Sequence, residues 1–152
     1  MIGMAYAEMN ISSEPSQLAR VRDFVTSFCR AVPTPVLDED SINQLELAVN
    51  EAATNIMRHA HRGRADLRIQ VEADSDAEHV VIQFYYGGAS FDPTTIPPPS
   101  FDGSREGGFG VYLIAKCVDQ VYYSQAADGR NCIRLVKNRS QSRKEAALPD
   151  PM

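Results

Sequence analysis

The chain has 152 residues, 43% of them hydrophobic and 23% charged, with a formal net charge of −5. That is enough apolar material for one domain with its own core, and it excludes collagen-like and intrinsically disordered classes. The acidic balance excludes a general nucleic-acid binder, which needs a basic footprint, so no direct nucleic-acid partner is expected.

No apolar run approaches the roughly 18 residues that suggest a membrane span. The opening MIGMAYAEMN has no basic region ahead of an apolar stretch, so no secretory signal is expected. Cys29, Cys117 and Cys132 are widely spaced in apolar settings, which fits small buried side chains better than a disulfide framework or a zinc site. A reduced, cytoplasmic protein with no membrane partner is the expectation.

In chain order, residues 5–11 suit a short edge strand. Ser12-Ser13-Glu14-Pro15 offers a serine cap and a proline for a first helical turn. Leu18, Val21, Phe24, Val25 and Phe28 then fall at helical spacing and predict a helix over residues 16–31. VPTPVLDED ends it. A second helix is expected from Asp40 or Ser41 to about His59, with Ile42, Leu45, Val49, Ala52 and Ile56 on its apolar face.

LRIQVEA and HVVIQFYY, split by DSDAE, predict an antiparallel hairpin over residues 66–86. Residues 92–108 carry four prolines and three glycines, the composition of a lid rather than of an ordinary connection. A short apolar helix is expected over residues 110–118. QVYYSQ and NCIRLVK flank AADGR and predict a second hairpin. Residues 1–139 are expected to form a single domain, and residues 140–152 a polar, disordered tail. Strands and helices do not alternate, so the pattern predicts an α+β two-layer sandwich, with a mixed, mainly antiparallel sheet carrying helices on one face.

Two stretches carry chemistry. In ELAVNEAATNIMRHAH, Glu51, Asn55 and His59 are spaced by four and share one side of a helix, apart from the Leu45/Ala52/Ile56 stripe. An amide oxygen can ligate magnesium, and a nearby carboxylate can take a proton from an attacking hydroxyl. An ordinary solvated helix face explains the same spacing. In REGGFGVYLIAKCVD, Gly107, Gly108 and Gly110 precede an apolar helix, where backbone N–H groups and the helix dipole suit a phosphate. A flexible hinge before a core helix is the competing reading. The pattern matches neither the dinucleotide-binding fingerprint nor a P-loop.

Together and in this order, these stretches resemble the GHKL ATPase/kinase superfamily, with its Bergerat ATP-binding fold. Within it they resemble the stand-alone branch of bacterial anti-sigma-factor serine-protein kinases. LAVNEAATNIMRHAH is similar to that branch's N-box, GGASFDP falls where the first glycine box belongs, and GGFGVYLIAKCVD is similar to the second. SEPSQLARVRDF resembles the branch's first helix. The likeness runs over roughly residues 8–138, and shared order across motifs is more specific than any one of them.

The resemblance implies ATP and Mg2+ as cofactors. It places Asn55 on the metal, Glu51 as general base toward a protein serine, and Gly107, Gly108 and Gly110 on the phosphates. Gly88 would lie under the adenine, and Arg105, by the chemistry of its guanidinium, would reach the terminal phosphate. His59 is expected as a packing residue or a phosphate neighbour, with packing favoured. The implied partners are a sigma factor and a STAS-domain antagonist, with a homodimer as the assembly.

One position departs from the pattern. The family's first glycine box reads Asp-x-Gly-x-Gly, and its Asp accepts a hydrogen bond from the adenine amino group. Anchored on Phe91-Asp92-Pro93, that position is Tyr86, and the second glycine is Ser90. Losing such a bond costs about 1.5–3 kcal/mol, roughly ten- to hundredfold in affinity. Three alternatives follow: ATP binds with Tyr86 stacked on its ring, a different purine such as guanine binds, or nucleotide binding is lost. The expected function is an anti-sigma factor and serine-protein kinase. Its alternative is a catalytically silent, protein-binding regulator on the same fold.

Overall fold

A computed structural model describes residues 5–31, 37–88 and 109–139. The expected lid over 92–108 and the expected tail from 140 lie outside these residues. Five strands form one sheet: β1 (Ala5–Ser12), β2 (Arg68–Ser75), β3 (His79–Tyr86), β4 (Gln120–Gln125) and β5 (Asn131–Asn138). Their order is β1-β2-β3-β5-β4, and every pairing among the described residues is antiparallel. The expected α+β sheet, mainly antiparallel, is thus found, and its described pairings include no parallel one.

Alternation along β3 sets the two faces. Val80, Ile82, Phe84 and Tyr86 are buried, while His79, Val81, Gln83 and Tyr85 stand on the other side. Phe84 lies opposite Val71 and Ile133, and Ile82 opposite Ala73 and Leu135, so three strands present one apolar face. Burying a side chain of this size contributes about 1.5–3 kcal/mol, so this face and the helices on it hold the layers together.

The helices are α1 (Leu18–Ala31), α2 (Glu39–Asn55) and α3 (Phe109–Cys117), with a 3-10 turn at Pro15–Gln17 before α1. Val21, Val25, Phe28 and Cys29 make the buried stripe of α1. On α2, Ile42, Leu45, Val49 and Ala52 are buried as expected, joined by Ala48 and Ala53. Those small side chains let α2 pack against both α1 and α3. Across α1 and α2, Arg22 Nη1 donates to Asn50 Oδ1 at 2.7 Å, and the Thr26 hydroxyl donates to the Glu46 carboxylate.

Two boundaries of α2 differ from the sequence expectation. Its N-cap is Asp38, whose carboxylate accepts from the Ser41 backbone N–H at 2.8 Å, while Glu39 and Asp40 occupy the first turn. The α-helical bonding stops at Asn55, and Ile56–Ala60 forms a π-helical turn in which the His61 N–H reaches back to the Ile56 carbonyl. All three cysteines are free and buried. No helix among the described residues is long and apolar enough to cross a membrane.

Candidate active site

Helices α2 and α3 bring two of the expected site residues onto a third. A β-carbon on Gly110 would stand 3.1 Å from Glu51 Oε1 and 3.1 Å from Asn55 Oδ1, so the bare backbone at the start of α3 is what leaves room for both side chains. One turn of α2 separates Glu51 from Asn55, which puts carboxylate and amide side by side. Asn55 is only 6% exposed, and its Nδ2 has no hydrogen-bond partner among the described residues. A buried polar group left unpaired costs about 1–3 kcal/mol, and such exceptions concentrate where a ligand completes the bonding.

These features fit the group that the N-box resemblance implies. An amide oxygen beside a carboxylate is a hard-oxygen donor set suited to magnesium, and the unpaired Nδ2 is a donor suited to a phosphate oxygen. Gly110 stands in the first turn of α3, where a helix turns backbone N–H groups and partial positive charge outward. Arg105, Gly107 and Gly108 lie outside the described residues.

His59 does not continue this side as a packed residue. Its side chain is exposed, and partial desolvation, followed by the positive Arg58 beside it, holds its imidazole below the usual value. The packed histidine is His61, 2% exposed, which the sequence reading passed over. His61 Nδ1 lies 2.8 Å from Ser13 Oγ, and Nε2 lies 3.0 Å from the Gly87 carbonyl oxygen. The only signal for it in the sequence is a second histidine at the end of the helix pattern, and spacing alone cannot say which of the two turns inward.

Tyr86 ends β3 on the core face, 3% exposed, between Ile69 and Asn131 on the neighbouring strands. Its ring meets His61 edge-on, with centroids 6.0 Å apart and planes at 79°. Burial, then Tyr123 and Cys132 nearby, push its phenol up to about 12, so it is neutral across the working range. Gly88 follows with a φ of +85°, and its carbonyl accepts from Asn131 Nδ2 at 3.2 Å. Asn131 is a second residue that the sequence reading missed.

A family model described as a histidine kinase-like ATPase domain matches residues 11–137. The chain belongs to that family. The match covers every described strand and helix from the end of β1 to β5, and with it the N-box and both glycine boxes. Among curated relatives, the serine-protein kinase RsbW of Oceanobacillus iheyensis is 28% identical over 124 residues, covering 76% of this chain and 77% of that one. RsbW of Bacillus subtilis is 26% identical over 125 residues, covering 76% of each chain. RsbW of Listeria monocytogenes is 33% identical over 96 residues, covering 57% of this chain and 61% of that one.

The fold is also that of a histidine kinase domain from the blue-light activated histidine kinase of Erythrobacter litoralis. The TM-score is 0.56 at 16% identity, over 90% of this chain. The chain spans about 65% of that structure's length.

Proposed function

We propose that this protein is a cytoplasmic, ATP-dependent serine-protein kinase that binds a sigma factor and phosphorylates a small STAS-domain antagonist, acting as a homodimer. The observation that carries the reading is the meeting of Glu51 and Asn55 on Gly110, with the buried amide of Asn55 left unpaired. Similarity to serine-protein kinases over three quarters of the chain supports the choice of a protein serine as acceptor.

Each role follows from chemistry at a named atom. Asn55 Oδ1 offers the oxygen ligand for magnesium. When bound, that ion supplies neutralisation of the phosphate charge. Glu51 Oε1 holds the substrate hydroxyl and takes its proton as the oxygen turns nucleophile, which needs a carboxylate within hydrogen-bond reach. Gly110, with Gly107 and Gly108 before it, keeps the backbone bare so that N–H groups face the phosphates. Arg105 is assigned to the charge of the terminal phosphate. At the base end, Tyr86 offers the edge or face of its ring in place of a carboxylate, and the Gly88 backbone passes beside it.

A phosphorylated antagonist gains charge at its interface, and repulsion then releases it from the complex. A second reading, a silent protein-binding regulator on the same fold, is favoured by one observation. Tyr86 is packed into the core against His61 rather than standing free as a stacking platform.

Transfer of label from ATP to purified candidate antagonists, with Glu51→Ala as control, tests the proposal. The kinase reading expects a labelled antagonist serine with the parent and none with the variant. Equal labelling by both removes Glu51 from the base role, and no labelling of any candidate by a protein that still binds a sigma factor supports the silent reading.

A further inference from the structure

We infer that His61 is a positioning residue for the nucleotide site: its imidazole, donating from Nε2 to the Gly87 carbonyl, holds the Gly87–Gly88 turn that walls the base end. The inference rests on the reading of this site as a nucleotide site and assigns a residue outside both the N-box carboxylate–amide pair and the glycine boxes.

The geometry places a proton on Nε2. A carbonyl oxygen only accepts, so at 3.0 Å from it Nε2 carries the proton. At 2.8 Å, Nδ1 and the Ser13 hydroxyl make the second hydrogen bond of the ring, and in the Nε2–H tautomer the hydroxyl is its donor. Ser13 is itself fixed, because its backbone N–H donates to the Leu67 carbonyl at 2.8 Å and only 2% of the residue is exposed. The imidazole therefore links the end of β1 to the exit of β3, and it reaches both from the loop that follows the π turn.

Three further contacts converge on the same turn. Gly88 adopts a φ of +85°, and a β-carbon there would stand 3.3 Å from His61 Cδ2, so imidazole and glycine fit each other. Asn131 Nδ2 holds the Gly88 carbonyl at 3.2 Å from the opposite strand. Tyr86, immediately before the turn, takes the ring edge contact with His61.

The π turn explains how the histidine arrives there. Its wider backbone closes on the His61 N–H, and the chain then turns at Arg62 and Gly63, both at positive φ, toward β2. A glutamine at 61 keeps both functions, since its amide donates and its oxygen accepts. An alanine keeps neither.

The test uses the full chain. In the nucleotide-free parent, nitrogen NMR of the imidazole should give the Nε2–H tautomer. His61→Ala should move the Gly87 and Gly88 amide resonances while leaving that of His79, at the other end of β3, in place. Titration with magnesium-ATP should weaken about tenfold in His61→Ala and recover to within about threefold in His61→Gln, while magnesium-tripolyphosphate binds parent and variants alike. Thermal melts identify a variant that fails to fold, and Ser13→Ala then carries the test: the Gly87 carbonyl still requires the proton on Nε2, so the tautomer should stay Nε2–H, while the ring held at one end only should move the Gly87 and Gly88 amides and weaken ATP. Parent binding of ATP that is unchanged in His61→Ala, or an Nδ1–H tautomer in the parent, overturns the inference alone. A parent that binds no ATP overturns the site reading instead, and the NMR arm still decides whether His61 holds the turn.

Discussion

The amide oxygen of Asn55 stands 3.1 Å from the point that a β-carbon on Gly110 would occupy, and the two residues come from different helices. The contact ties the N-box to the second glycine box through space that only a glycine leaves open. Replacing Gly110 by Ala should lower phosphotransfer at least tenfold, because the new methyl displaces Asn55 and Glu51 from their shared position. The alanine gains up to about 1 kcal/mol of helix preference, which offsets the crowding, so the melting temperature should stay within about 4 °C of the parent. Activity assays beside a thermal melt check this.

Asn55→Ala should separate ligand binding from folding. The side chain is buried with Nδ2 unpaired, so its loss removes a desolvation penalty while opening a small cavity. The free protein should melt within about 3 °C of the parent, and the upward shift given by magnesium-ATP should vanish. A large fall in the melting temperature of the free protein would mark Asn55 as a structural residue.

Glu51→Gln keeps the size of the side chain and removes the base. Phosphotransfer should fall by about 10²–10⁴, the range typical of a lost general base, with affinity for magnesium-ATP changed less than about threefold. Labelling kinetics and calorimetry on one preparation separate the two quantities.

Tyr86→Ala distinguishes a lining role from a closing one. Stacking of a base on an aromatic ring is worth about 1–3 kcal/mol, so a lining Tyr86 predicts affinity for ATP weaker by roughly fivefold or more in the variant. Affinity that rises means the phenol fills the base site in the parent. Either way the truncation should destabilise the fold by about 3–5 kcal/mol, read from denaturant unfolding.

Alkaline stability follows from two buried acids. Burial first, then Tyr123 and Cys132, push Tyr86 from its ordinary 10.0 up to about 12, and burial, against the opposing Arg30, pushes Cys29 from 9.0 up to about 12. Both folded values lie above the unfolded ones, so the folded state binds protons that the unfolded state releases. Their contribution is complete below about pH 9 and is lost as pH climbs to 12. Denaturant midpoints should fall across that window, less so in Tyr86→Phe, and Cys29 should resist thiol reagents until the protein unfolds.

The layers and element order were legible because apolar spacing changes period where the fold changes element. Val21, Val25, Phe28 and Cys29 repeat at helical intervals, and Val80, Ile82, Phe84 and Tyr86 at strand intervals. The spacing of Glu51 and Asn55 was legible for the same reason, but their convergence on Gly110 is a tertiary contact that no local pattern encodes. The start of α2 was misplaced because Asp38, Asp40 and Ser41 all suit a cap, and only the Asp38 carboxylate reaches the Ser41 N–H. The π turn erased the expectation for His59. A wider turn changes which side chain faces inward, and nothing in NIMRHAH announces it, so His61 and its partner Ser13 went unseen.

Calorimetric titration of the purified protein with magnesium-ATP tests the central claim most directly, that the Asn55–Glu51–Gly110 cradle holds a triphosphate although Tyr86 stands where the purine's acidic partner belongs. The account predicts saturable one-site heat, with affinity roughly ten- to hundredfold weaker than a site that keeps the carboxylate, and loss of that heat in Asn55→Ala. The absence of any heat at millimolar nucleotide, with no thermal shift, would contradict it.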